Sequence, residues 1–345
     1  MRVWLFCLFS FVFLWSEDVP TLKIYNYSDY VDTNILINFA KENKIKIRYE
    51  MYENNEQLLE KIKNEKEGFD LACPSTNFIS KFQEDNYLVD INKSKLKNYK
   101  YINKILLDKN NNGQKQSFIP YFWGTIGIIY DTTQVKPITS WNDLWRADLK
   151  ESVLIGSDYR DMFGVVLKSL GYSVNTKNDE EIKKAYEKLL QLIPNIKEMS
   201  SEDIPKYFLK DKFVVGIVFN GDARLLKEAE SKFAYVYPNE GTIQWMDGFV
   251  MLKNGKNNDL SYKFLDYILE PNNGFSIANK IGYSTANEGV YKLLDKKIKN
   301  NTLLYPPKLV IEKSESLRSV GIMDKIYKNY WDLFVEEYKK YKGKR

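Results

Sequence analysis

The sequence predicts an α/β chain of two lobes, each built on a mainly parallel sheet with helices on its faces. Three observations carry that prediction. Residues 22–73 alternate strand and helix patterns in the order β-α-β-α-β, which is how a parallel sheet covered by helices is encoded. Residues 153–219 repeat the same logic. The chain has 345 residues, 44% hydrophobic and 28% charged, enough for two buried cores in a folded soluble protein.

The chain opens on Met1-Arg2, and Val3 to Trp15 then carries no charge. That run is too short to span a membrane but suits the apolar core of a secretory signal, so residues 1–16 are read as a signal and the protein as exported. Ser16-Glu17-Asp18 closes the run without a small-x-small cleavage site, which keeps an uncleaved membrane anchor open as the alternative. Leu22, Ile24 and Tyr25-Asn26 form the first strand, and Ile35, Leu36, Phe39 and Ala40 share one face of the helix after it. Ile45, Ile47, Tyr49 and Met51 alternate with charged residues as a second strand. Asn55 starts a helix through Leu58, Leu59 and Ile62, and Phe69 to Cys73 is the third strand. In the second half, Val153–Ile155 is a strand, Met162 to Leu170 a helix closed by Gly171, and Glu180 to Leu192 a helix stopped before Pro194. Phe213 to Phe219 is an apolar strand. Trp123 to Tyr130, around Gly124 and Gly127, and Pro238 to Gly241 are the candidate connectors, while Lys109 to Gln116 and Lys253 to Asp259 read as polar surface loops.

Composition excludes several functions. Lys and Arg exceed Asp and Glu by only five and are interspersed with them, so nucleic acid is not an expected partner. There is no histidine, which removes Ser-His and Cys-His nucleophile pairs and His-containing zinc sites. Of two cysteines, Cys7 lies in the signal segment, so Cys73 has no partner for an internal disulfide. No phosphate loop, Gly-x-Ser-x-Gly or metal-ligand spacing is present, and no cofactor or metal is expected.

In open parallel sheets, ligands bind at the carboxyl ends of the strands. The first strand is followed by Tyr27-Ser28-Asp29-Tyr30 and the third by Ser75-Thr76-Asn77. Ser157, Asp158 and Asp161 follow Val153–Ile155, and Asn220, Gly221 and Asp222 follow Phe219. Aromatics, hydroxyls and carboxylates recur there, with only Arg160 and Arg224 nearby. Each has a plain structural alternative: Asp158-x-x-Asp161 fits a capping box, Ser28 or Asp29 could cap the next helix, and Tyr27 and Tyr30 could be sheet-edge residues. Ser140-Trp-Asn-Asp143 is read as a purely structural capping box. Gln244-Trp-Met-Asp-Gly-Phe249 sets one carboxylate, Asp247, in an apolar run, either as an Asp-Gly turn open to water or as a buried charge that needs a cation. Carboxylates set among aromatics suit an aliphatic polycation, whose ammonium groups need acids or π-faces and whose methylenes need flat apolar surface.

The motifs IYNYSDYV (24–31), YENNEQLLEKIK (52–63), FDLACPST (69–76), IPYFWGTIGI (119–128), TSWNDLW (139–145), KSLGYSVNT (168–176), VFNGDA (218–223), WMDGF (245–249) and IGYSTAN (281–287) occur in that order. On these motifs the chain resembles the spermidine/putrescine-binding periplasmic proteins of polyamine ABC transporters, from Leu22 to the C-terminus. The resemblance implies a type II periplasmic-binding-protein fold with hinge crossings between the lobes. Residues 20–124 and 247–291 would form one lobe, and 128–243 and 296–345 the other. It further implies an aromatic box of Tyr27, Tyr30, Phe219, Trp245 and Tyr283. The ammonium acceptors would be Asp29, Asp158, Asp161 and Asp247, with Ser28, Ser75 and Ser201 as polar contributors.

Relatives often carry Trp at the Tyr27 and Phe219 positions, an aromatic at Asn77, Gln at Leu317, and Glu at Asp29 and Asp161. These departures leave the choice between spermidine and putrescine open and permit a smaller ligand. The implied function is the non-enzymatic capture of putrescine or spermidine by a monomer in the periplasm and its delivery to the membrane permease of an ABC transporter. A binding protein of the same fold for a sugar or metal ion, and an exported carbohydrate-acting enzyme, are the alternatives.

Overall fold

A computed structural model describes residues 19–28, 30–53, 55–65, 68–111, 117–200 and 204–343. The signal segment 1–16, Asp29 and Ser201 lie outside the described residues. The strands are β1 (Thr21–Tyr27), β2 (Lys46–Tyr52), β3 (Leu71–Ala72), β4 (Phe118–Asp131), β5 (Val153–Ile155), β6 (Ile196–Met199), β7 (Val215–Phe219), β8 (Phe233–Val236), β9 (Ile243–Met251), β10 (Ser284–Thr285) and β11 (Glu315–Ser316). They run in the spatial order β2-β1-β3-β9-β4-β7-β5-β6, with β8 and β10 on β4 and β11 on β9. β1 is parallel to β2 and β3, and β5 is parallel to β6 and β7. β9 and β4 are antiparallel to each other, to β3 on one side and to β7 on the other.

This topology yields two cores. One packs Leu22, Ile24, Phe39, Phe82 and Tyr121 with Phe249 and Phe264; the other packs Ile128, Trp141, Phe163, Val215, Tyr327 and Phe334. A smaller cluster around Phe208, Phe213 and Phe233 backs the second. The lobes meet where β4 and β9 pass from one core to the other: Trp123 and Met246 lie in the first, Ile126 and Ile243 in the second. The segment after Lys296, expected with the second lobe, lies partly on the first, since Tyr305 and Ile311 pack against the first core.

Trp123 to Tyr130, the first candidate connector, carries the chain from the first core to the second as part of the fourteen-residue strand β4, buried along its whole length. Gly124 is there for close approach: a Cβ would stand 2.2 Å from Asn220 Oδ1 and 2.6 Å from the Trp245 ring. The loop expected over Lys253 to Asp259 ends early, because a helix starts at Asn258. Ser140 and Asp143 do form the expected capping box, on the short helix Trp141–Trp145.

Candidate functional site

The carboxyl ends of β1, β3, β5 and β7 all point to the junction of the lobes, where a cavity of about 840 Å³ opens. Ten of the twelve expected site residues line it: Tyr27, Ser28, Tyr30, Ser75, Asp158, Asp161, Phe219, Trp245, Asp247 and Tyr283. The other two are Asp29 and Ser201. Tyr27 closes β1, Tyr30 follows it, and Ser75 stands between β3 and the helix Thr76–Glu84. Asp158 precedes the helix Tyr159–Ser169, and Tyr283 follows Gly282, whose positive φ ends the helix Pro271–Ile281.

The aromatic side chains form a chain of ring contacts across the lobe junction. Tyr27 meets Tyr30 edge-on at 5.5 Å between centroids, and Tyr30 meets Tyr283 at 6.4 Å. Tyr283 meets Trp245 at 5.3 Å, and Trp245 meets Phe219 at 6.2 Å. T-shaped packing leaves some ring faces turned away from their neighbours and available to a cation or to methylenes.

Asp247 is not in a turn. It sits in mid-β9, only 7% exposed, paired with Phe122 and bridged to Ser75. Tyr30 Oη donates to its Oδ2 at 2.7 Å and Ser75 Oγ to its Oδ1 at 2.6 Å. Burial nevertheless pushes the carboxyl up to about 6, the two hydroxyls pulling the other way. Among the described residues no Lys or Arg pairs with it. Arg160 is turned to the carbonyls of Arg318 and Val174 and lies over the Tyr327 ring, with Asp324 at 3.7 Å. Arg224 meets Glu228, and Lys328, on the cavity wall, meets Asp332.

Asp158 caps its helix and also faces the cavity. Its Oδ1 accepts from the Asp161 backbone N–H at 2.9 Å, a true helix cap, and its side chain is open to the cavity. The surrounding cleft wall strips enough water to raise its carboxyl despite backbone donors and Arg160. Asp161 is raised further, by burial first and by the Asp158 charge second. These outer acids do not weigh on Asp247, whose shift comes from burial and hydroxyls alone.

Several lining residues were not foreseen. Glu53, Asn55 and Glu56 come from the end of β2 and the start of the helix Asn55–Asn64. Glu56 is raised by desolvation, then by Asp158 and Asp324 in the other lobe. The strand-end test applied to β2 would have found them. Tyr159, Gln244 and Trp331 also reach the wall, together with Leu317 and Asn77, two of the positions of departure.

The family described as bacterial extracellular solute-binding protein matches residues 35–306. The chain belongs to that family. Among curated relatives of this solute-binding protein, the spermidine/putrescine-binding periplasmic protein of Salmonella typhimurium is 36% identical over 319 residues, 92% of each chain. The putrescine-binding periplasmic protein PotF of Escherichia coli is 31% identical over 324 residues, 88% of each. Among solved structures, the spermidine/putrescine ABC transporter substrate-binding protein PotD from Streptococcus pneumoniae superposes with a TM-score of 0.81 at 33% identity, over 93% of this chain and 99% of that one.

Proposed function

We propose that this solute-binding protein captures a polyamine between its lobes, outside the cytoplasmic membrane, and delivers it to the permease of an ABC importer. The observation that carries this reading is Asp247: a buried carboxylate, walled by Tyr30, Trp245 and Tyr283, that receives hydroxyls but no cation from the described residues. An ammonium group supplies the missing charge, and the aromatic chain supplies the surface for methylenes. Asp158 and Asp161, on the other lobe, form a second acidic pole for a second ammonium. Asp29, by its place in IYNYSDYV, and Ser201, as the resemblance implies, belong to the same proposed set. The relatives named for spermidine and putrescine support this choice of ligand.

The protein acts as a monomer in the periplasm and without catalysis, because an importer needs its cargo returned unchanged. Calorimetric titration with putrescine, cadaverine, spermidine and spermine, with a sugar and a divalent cation as controls, tests the reading. Saturable binding of an amine and not of the controls is the expected result. Binding of the sugar or metal alone overturns it, and chemical change of the bound amine overturns the non-catalytic part.

A further inference from the structure

Ser75 stands at the N-cap of the helix Thr76–Glu84, yet its hydroxyl makes no capping bond. A serine there ordinarily accepts a hydrogen bond from a free N–H of the first turn. This one is turned toward Asp247, and its surroundings explain why. A hydroxyl has one proton and two lone pairs. Three groups surround Ser75 Oγ: Asp247 Oδ1 at 2.6 Å, the Tyr27 hydroxyl at 3.0 Å and Asn55 Nδ2 at 3.3 Å. The amide nitrogen can only donate, so it fills one lone pair. Tyr27 donates into the other, and the single serine proton is left for the carboxylate. Asn55 Oδ1 also accepts from the Ser75 backbone N–H at 3.2 Å, so one side chain holds the serine by both its backbone and its hydroxyl. That second bond sets which way round the amide lies.

We propose that Asn55 is a positioning residue of the ligand site, which by gripping Ser75 holds the serine proton on Asp247 and keeps that carboxylate ready for a ligand cation. The cation's identity rests on the polyamine reading; the grip itself does not. Asn55 opens a helix, Ser75 lies between β3 and the helix Thr76–Glu84, and Asp247 lies in β9, so the contact joins three distant parts of the chain at the cavity.

The groups facing Asp247 are Tyr27, Tyr30, Tyr52, Cys73 and Tyr283. Burial raises every one of them, so all stay protonated between pH 5 and 8 and Asp247 alone among them titrates there. A donor to an ionised carboxylate lowers its pKa, so loosening the serine raises it.

Carboxyl ¹³C NMR titration of the ligand-free protein reads this directly, with the Asp247 signal assigned by Asp247→Asn. In Asn55→Ala the Asp247 midpoint should move up by roughly one pH unit, the scale of one lost hydrogen bond to a charged group. Ser75→Ala should move it at least as far, and the double variant no further than Ser75→Ala, because Asn55 acts through the serine. Spermidine affinity of Asn55→Ala should fall about fivefold at pH 6 and about twofold at pH 7, and recover toward pH 8. Asn55→Gln, which sets the same amide one methylene further out, should shift the midpoint in the same direction and serves if the alanine variant does not fold. An unmoved midpoint in both Asn55 variants, or shifts of Asn55→Ala and Ser75→Ala that add, overturns the proposal. A wild type that binds no polyamine sinks the polyamine reading instead, while the carboxyl titration still decides the role of Asn55.

Discussion

Asp247 titrates near 6 in the fold against 3.8 unhindered, so folding prefers its protonated form. The cost to stability is full above pH 6, fades as pH falls toward 3.8, and amounts to about 3 kcal/mol at most. Asp247→Asn should therefore raise the melting temperature of the ligand-free protein at pH 7, and the gain should vanish near pH 4. The same change should weaken polyamine binding by roughly 2–5 kcal/mol, because a ligand ammonium then meets no charge. In the wild type, affinity should drop as pH falls below 6. Melting curves and calorimetry across pH check both limbs, and unchanged affinity in Asp247→Asn would remove Asp247 from the site. Asp143, which accepts from Thr139 and Ser140 N–H at 2.8 and 3.0 Å, is the control. Asp143→Asn should cost about 0.5–1 kcal/mol of stability, as lost caps do, and leave affinity unchanged.

At the scale of elements, β1 was legible because Leu22 and Ile24 are buried on either side of half-buried Lys23, and β2 because its apolar and charged residues alternate in sequence, although Met51 is exposed and only Tyr52 is buried. The crossing strands were not, for physical reasons. β4 is buried on both faces and carries two glycines, which removes alternation and imitates a break. β9 hides its strand character behind Asp247-Gly248, a turn-like pair whose carboxylate is tied down by residues 217 and 172 positions away. Asp158 and Trp245 could be placed at the site from motif and strand end, and Glu56 from the end of β2; the charges that act on Glu56, Asp158 and Asp324, could not, since they lie across the lobe junction. Gly124 gives a test of how the crossing shapes the wall. Gly124→Ala would drive a methyl into Asn220 and the Trp245 ring, costing roughly 1–3 kcal/mol and displacing the indole. Weaker polyamine binding and an altered tryptophan emission should accompany the lower melting temperature; wild-type affinity would mean that the ring position does not matter.

For the whole molecule, acids assigned to one ligand lie on both lobes, so binding should draw the lobes together. Small-angle scattering should show a smaller radius with polyamine present, and an identical profile at saturation would count against closure. Because the protein carries a net charge of +5, its far field repels a polycation, and attraction is confined to the cleft. Added salt should weaken binding only moderately, since enclosed charges are screened less than exposed ones. The shared strands have one more consequence, in the order of synthesis. The first core needs Phe249 and Phe264, which follow β5, β6, β7 and β8 of the second lobe, and the second core in turn needs Tyr327 and Phe334. A nascent chain emerging N-terminus first thus holds β3 with no β9 to pair against, and cannot complete its first core until Phe264 and Val290 have been made. That delay should leave the first lobe unfinished through most of the chain's elongation. A chain cut at residue 240 should remain soluble only with a chaperone and show no cooperative melting.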